Sequence, residues 1–128
     1  MNKHKGSNAE RELLHMFFDK TWAALRVAGS GSTKELSCDL IAGKEGKKYV
    51  IEVKSSKKDS IYISKEQIQN LMILSEIFGL KPVIATRFNY EGWLFIDPKH
   101  LKDTGKYFSV SLENARTNGQ KFSQFFEA

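Results

Sequence analysis

The sequence predicts an α/β fold, one mixed β-sheet with α-helices packed on it. Two observations predict it. Two stretches with helical periodicity, around Leu13–Phe18 and Ile68–Ser75, alternate with groups of short β-rich runs. One pair of those runs, residues 38–42 and 48–54, flanks Gly43-Lys44-Glu45-Gly46-Lys47 and reads as a hairpin. The chain has 128 residues, 41% of them apolar, which suits a single domain able to bury roughly two thirds of its unfolded surface.

The first helix is expected from Ser7, because Ser7-Asn8-Ala9-Glu10 fits a capping box, and it should run to about residue 20. Leu13, Leu14, Phe17 and Phe18 form its apolar face. Residues 22–28 read as a strand, ended by the glycine-serine loop Gly29-Ser30-Gly31-Ser32-Thr33. After the hairpin come a polar stretch and a short strand, Ile61-Tyr62-Ile63. Ser64-Lys65-Glu66-Gln67 caps a second helix whose buried face is Ile68, Leu71, Met72 and Ser75, and Gly79 and Pro82 stop it. The apolar run 82–88 suits a buried strand, Trp93-Leu94-Phe95-Ile96 another, and residues 107–111 a last one. Residues 1–6 are expected to be a flexible basic arm. Residues 113–128 are a short amphipathic tail ending Phe122-Ser123-Gln124-Phe125-Phe126.

Several classes are set aside by composition. No apolar run approaches the ~20 residues of a membrane helix, and residues 1–7 lack the apolar stretch of a signal peptide. One cysteine makes no internal disulfide, and His4, His15 and His100 have no partners at metal-ligand spacing. Gly29-Ser30-Gly31-Ser32-Thr33-Lys34 lacks the ending of a phosphate loop. Cys38 has no activating neighbour and reads as a small core residue. An intracellular protein is expected, and the balance of 20 basic against 15 acidic residues, a net +5, favours an anionic partner, nucleic acid first.

The informative segment is the hairpin. Strand side chains alternate, so Glu52 and Lys54 share one face while Ile51 and Val53 share the other. A turn centred between Glu45 and Gly46 sets Asp39 opposite Glu52, with Cβ atoms about 4.5–5.5 Å apart. Two carboxylates so placed repel unless one is protonated or a cation lies between them. A Mg²⁺ ion held by one or two carboxylates and several waters suits the pair. The motif acid-x-Lys is weak, recurring at Glu45-Gly46-Lys47 and Asp97-Pro98-Lys99, and a solvated ion pair between Glu52 and Lys54 is the bland alternative. Glu10 shares the helix face of Leu13, Leu14 and Phe17; it either closes the capping box or reaches the sheet end where Asp39 and Glu52 gather.

These residues carry a resemblance. Lys5-Gly6-Ser7-Asn8-Ala9-Glu10-Arg11-Glu12-Leu13, Leu25-Arg26-Val27-Ala28-Gly29-Ser30-Gly31, Asp39-Leu40-Ile41-Ala42-Gly43 and Ile51-Glu52-Val53-Lys54-Ser55 resemble segments of the archaeal Holliday junction resolvases. So do Ile61-Tyr62-Ile63-Ser64-Lys65-Glu66-Gln67 and Gly92-Trp93-Leu94-Phe95, in order over roughly residues 5–112. The resemblance implies a restriction-endonuclease-like core. It further implies a homodimer that uses Mg²⁺, with Mn²⁺ as substitute, to nick two strands of a four-way DNA junction symmetrically, leaving 5′-phosphate and 3′-hydroxyl ends. It makes Glu10, Asp39 and Glu52 the acidic residues of the site, Lys54 its lysine and Ser30 a hydroxyl of the nearby loop. It sets Arg11 and Arg26 near the DNA backbone. The family proline before the motif aspartate is here Cys38.

On this reading Asp39 and Glu52 hold the metal, with the Val53 carbonyl as a further ligand and Glu10 joining through water. Lys54 orients the water or stabilises charge on the phosphoryl group. Lys3, Lys5, Arg11, Arg26, Ser30, Lys34, Lys57 and Lys58 contact DNA, and Phe78, Trp93, Phe95 and the Phe-rich tail are candidates for a dimer interface. No nucleotide cofactor or membrane is involved, and the protein works in the cytoplasm at the nucleoid. Two alternatives stand beside it: another nuclease of the same fold, of repair or restriction type, and a non-catalytic basic module that binds DNA or RNA structure.

Overall fold

Helix α1 spans Lys3–Asp19, starting before the Ser7 cap that the sequence suggests. Packing explains the extension. Gly6 and Ala9 are buried in line with Leu13 and Phe17, so one stripe at helical spacing continues past the capping pattern onto the sheet. Residues 3–6 of the expected arm are therefore helical. The stripe is narrower than predicted, since Phe18 is 45% exposed. The computed structural model describes residues 3–27 and 36–127, without the side chains of residues 3–5 and Ser7.

Five strands form the main sheet: β1 (Ala23–Arg26), β2 (Leu40–Lys44), β3 (Lys47–Ser56), β5 (Lys81–Phe88) and β6 (Gly92–Ile96), in the order β1-β2-β3-β5-β6. All neighbours run antiparallel except β3 and β5. The β2–β3 turn places Glu45 (φ 52°) and Gly46 (φ 84°) in the left-handed region, which matches the twist of the strands and fixes the register Leu40↔Ile51. A parallel partner for β3 requires a crossover, supplied by β4 (Ser60–Ser64) and α2 (Lys65–Phe78). Helix α2 begins as predicted, with Ser64 and Gln67 closing a capping box, and ends at Gly79 (φ 66°). Its buried residues are Ile68, Leu71 and Leu74, whereas Met72, expected inside, is 44% exposed.

A second sheet departs from the single-sheet expectation. Strand β4 pairs with β8 (Tyr107–Ser111), which pairs with the two-residue β7 (Lys102–Asp103). Two residues carry no readable period, and the β4–β8 pairing joins positions over forty residues apart, so neither is visible in local sequence.

The core lies on both sides of the main sheet. Ile51 and Val53 face α1, and Val50 and Ile84 face α2, as strand alternation demands. The C-terminal segment forms α3 (Leu112–Asn118), which packs with the α2 side, and α4 (Phe122–Phe126), which closes the α1 side. Phe126 is fully buried among Phe17, Trp22, Tyr49 and Phe95, all within ring contact. Trp93 and Phe95 are buried too, so these residues and Phe126 are core, not interface. Their burial follows from α4 packing over the edge strand β6. Phe78 stays 62% exposed.

Candidate active site

Asp39 directly precedes β2 and continues its pairing. Its N–H donates to the Ile51 carbonyl at 3.2 Å and its carbonyl accepts from Val27 N–H at 2.9 Å. On the β1 side this continues the strand. On the β3 side the paired register ends at Leu40↔Ile51 and the Asp39 N–H meets Ile51, so the expected Asp39–Glu52 pairing is not formed by the backbone. The charge of Asp39 still reaches Glu52. The Asp39 Oδ2 accepts from Val53 N–H at 2.8 Å. A strand residue's N–H and C=O point the same way, so the Val53 carbonyl also faces the edge of β3 that β2 leaves uncovered.

Glu52 is buried in the middle of β3, between Asp39 on one side and Ile84 on the parallel strand. Burial first, and then the charge of Asp39, push the Glu52 carboxyl well above the ordinary glutamate range, while Lys54 on the same strand face opposes the rise. From the other side Gln67 Nε2 donates to Glu52 Oε2 at 3.3 Å. The Gln67 Oε1 meanwhile accepts from the Ser64 N–H at 3.4 Å, so the cap that starts α2 also holds Glu52 in place. Gln67 is a site residue that sequence reasoning passed over; its capping role was visible, its reach to Glu52 was not.

Glu10 comes from α1, and the structure decides between its two readings. Lying inside the helix, it caps nothing; its Oε1 accepts from Arg26 Nε of β1 at 2.9 Å. Its pKa is raised by burial first and by the charge of Asp39 next, and lowered by Arg26. Asp39 thus stands electrostatically between Glu10 and Glu52. Among the described residues no three His, Cys, Asp or Glu side chains are arranged to hold a metal ion. The close pair is Asp39–Glu52, with Glu10 engaged by Arg26.

The remaining candidates divide. Arg11 is exposed on α1, and Lys57 and Lys58 are exposed just past β3. Ser30 and Lys34 lie outside the described residues, as do the side chains of Lys3 and Lys5. Cys38 is buried, and burial, then Asp39 and Glu52, push its thiol up to about 11, which suits a core residue and not a nucleophile.

The donor set fits a hard divalent cation. It is all oxygen, it brings the buried Asp39 and Glu52 carboxyls close enough for the charge of one to raise the other, and its open strand edge presents a carbonyl. A family model described as archaeal Holliday junction resolvase (Hjc) matches residues 1–128. The chain belongs to that family. This resolvase is 43% identical over 106 residues to the crossover junction endodeoxyribonuclease Hjc of Methanocaldococcus jannaschii, covering 83% of this chain and 75% of that one. It is 33% identical over 132 residues to the Hjc of Archaeoglobus fulgidus, covering 97% and 96%. The solved structure of the A. fulgidus Hjc superposes with a TM-score of 0.82 at 29% identity, over 90% of this chain and 93% of that one. The likeness bears out the α/β reading with a mixed sheet flanked by helices.

Proposed function

We propose that this resolvase is a crossover junction endodeoxyribonuclease that cuts four-way DNA junctions in recombination and repair, using Mg²⁺ to nick two strands symmetrically. The observation that carries the chemistry is the buried Asp39–Glu52 pair at the uncovered end of β2, with Lys54 on the same strand face as Glu52. Asp39, Glu52 and the Val53 carbonyl would hold the cation, with Glu10 joining them through water. When bound, the cation polarises the phosphate and lowers the pKa of a water. The protein's own part is positional. Gln67 and the Val53 N–H fix the two carboxyls, so they are set before substrate arrives. Lys54 offers its ammonium to the phosphoryl oxygens or the attacking water. Arg11, Lys57 and Lys58 meet backbone phosphates without reading bases. No described helix is long and apolar enough to cross a membrane, and we place the work in the cytoplasm at the nucleoid.

Paired cuts need two sites, which a two-fold homodimer supplies. Its interface lies on α2, where Met72, Ile73, Ile77 and Phe78 are 44%, 45%, 65% and 62% exposed on one helix. So many exposed apolar side chains on one helix call for a partner. Ile77→Asp is expected to weaken the dimer at least about 100-fold and to abolish paired nicking, because the charge would be desolvated in an apolar contact. Light scattering and sedimentation check this; a wild-type monomer, or a variant dimer of unchanged strength, would remove the interface from α2.

The deciding experiment incubates the purified protein with a synthetic four-way junction, plain duplex and single strands, with and without Mg²⁺. Paired symmetric nicks are expected in the junction alone, and only with metal. Junction affinity should fall on the order of 10³-fold between 50 and 200 mM salt if six or more phosphates are contacted. Binding without cleavage in any divalent ion would leave only a basic DNA-binding module.

A further inference from the structure

The β5–β6 hairpin carries a tyrosine where its backbone calls for glycine. Glu91 N–H donates to the Phe88 carbonyl at 3.2 Å, closing a turn in which Tyr90 is the third residue, with φ 69°. Gly or Asn is the ordinary occupant of such a position, because a Cβ there meets the backbone. Tyr90 is nonetheless 102% exposed, so no packing in the fold compensates that cost. The turn around it is braced. Glu91 accepts from Arg116 at 2.6 Å and from Lys121 at 2.9 Å, and Asn89 N–H donates to the Ser56 carbonyl at 2.9 Å. A strained, rigidly held and fully presented ring points to a use outside the fold.

Its place in the sheet says which use. Because β5 is parallel to β3, with Phe88 opposite Ser56, the hairpin tip rises from the C-terminal end of β3, beyond the mid-strand Glu52. Ser56 ties the two neighbours together: its carbonyl holds Asn89, and its Oγ accepts from the Lys58 N–H at 2.9 Å. Through Ser56 the Tyr90 turn is tied to the segment that carries the exposed Lys57 and Lys58. Ser56 lies four positions beyond Glu52, about 13 Å along a strand, or roughly four nucleotides of a DNA strand.

We propose that Tyr90 is a DNA contact, its ring lying on a base or sugar face about four nucleotides from the cleaved phosphate, with Lys57 and Lys58 on neighbouring phosphates. The inference rests on the resolvase reading above and adds a binding residue to it.

The test is Tyr90→Gly, which relieves the strained backbone while deleting the ring. Its melting temperature should stay level or rise, while Kd for a four-way junction rises roughly 5- to 100-fold. With saturating junction, kcat should stay at the wild-type value while KM increases. Tyr90→Phe should restore the affinity, and 2-aminopurine placed three to five nucleotides from the cut should show a fluorescence change on binding wild type that Tyr90→Gly loses. An unchanged Kd in a variant of a wild type that binds and nicks junctions would overturn this inference alone. Loss of affinity that tracks a lowered melting temperature or a lost dimer would overturn it too. A wild type that neither binds nor nicks junctions would defeat the resolvase reading itself.

Discussion

Replacing Asp39 by Asn is expected to slow junction nicking by at least about 10³-fold, in line with the loss of a group that stabilises developing charge. Junction affinity should stay within about threefold, because phosphate contacts dominate it. The substitution is nearly isosteric. An amide oxygen can still accept from the Val53 N–H, and the backbone bonds to Ile51 and Val27 do not involve the side chain. What changes is the charge at the point where Glu10 and Glu52 both feel it. Single-turnover nicking of a labelled junction and a binding titration in Ca²⁺ check the two halves. Nicking at the wild-type rate would take Asp39 out of the mechanism. Loss of binding equal to loss of nicking would make its role structural.

The hairpin was legible because its register is local: the Glu45-Gly46 turn counts outward as far as Leu40↔Ile51, and strand alternation then sorts Glu52 and Lys54 from Ile51 and Val53, whereas the departure of Asp39 from that register was not readable. Glu10 was half legible. Its helix face was readable, but a capping box and a long packed stripe compete for the same residues, and burial of Gly6 and Ala9 decided for the stripe. The contacts that hold the site were not legible. Arg26 meets Glu10 from sixteen residues away and Gln67 meets Glu52 from fifteen, and no period in the chain encodes a cross-element hydrogen bond. The aromatic tail shows the same limit in reverse. Phe122, Phe125 and Phe126 look like a patch for a partner, yet Phe126 fills the space over Phe17, Trp22 and Phe95, because the edge strand β6 leaves that side open for α4. The exposed apolar face turned out to be on α2, where Leu74 in place of Met72 rotates the buried stripe.

Replacing Glu52 by Gln should abolish nicking and at the same time stabilise the metal-free protein near neutral pH. Burial and the neighbouring Asp39 hold the Glu52 carboxyl well above its usual range. In the unfolded chain a glutamate ionises near pH ~4.3. Stability contributed by a group with a raised folded pKa is fully present below the unfolded pKa and is lost as pH rises through the folded value. At pH 7 to 8 wild type must therefore either keep a proton the unfolded chain has released or bury a second negative charge against Asp39. The amide does neither: its NH₂ donates to the Asp39 carboxylate, and its oxygen accepts from Gln67 as Glu52 does. The melting temperature of the variant should exceed that of wild type by roughly 4 °C at pH 8, about 1 kcal/mol for a chain of this size. The difference should vanish near pH 4, where Glu52 is protonated in both folded and unfolded wild type. Adding Mg²⁺ at pH 8 should raise the melting temperature of wild type and leave the variant unmoved, since a cation bound to the folded state relieves the repulsion the substitution has already removed. Thermal melts at the two pH values, with and without the metal, decide it. A variant less stable than wild type at pH 8, or a gain equal at both pH values, would show that the Glu52 carboxylate is not the strained member of the pair.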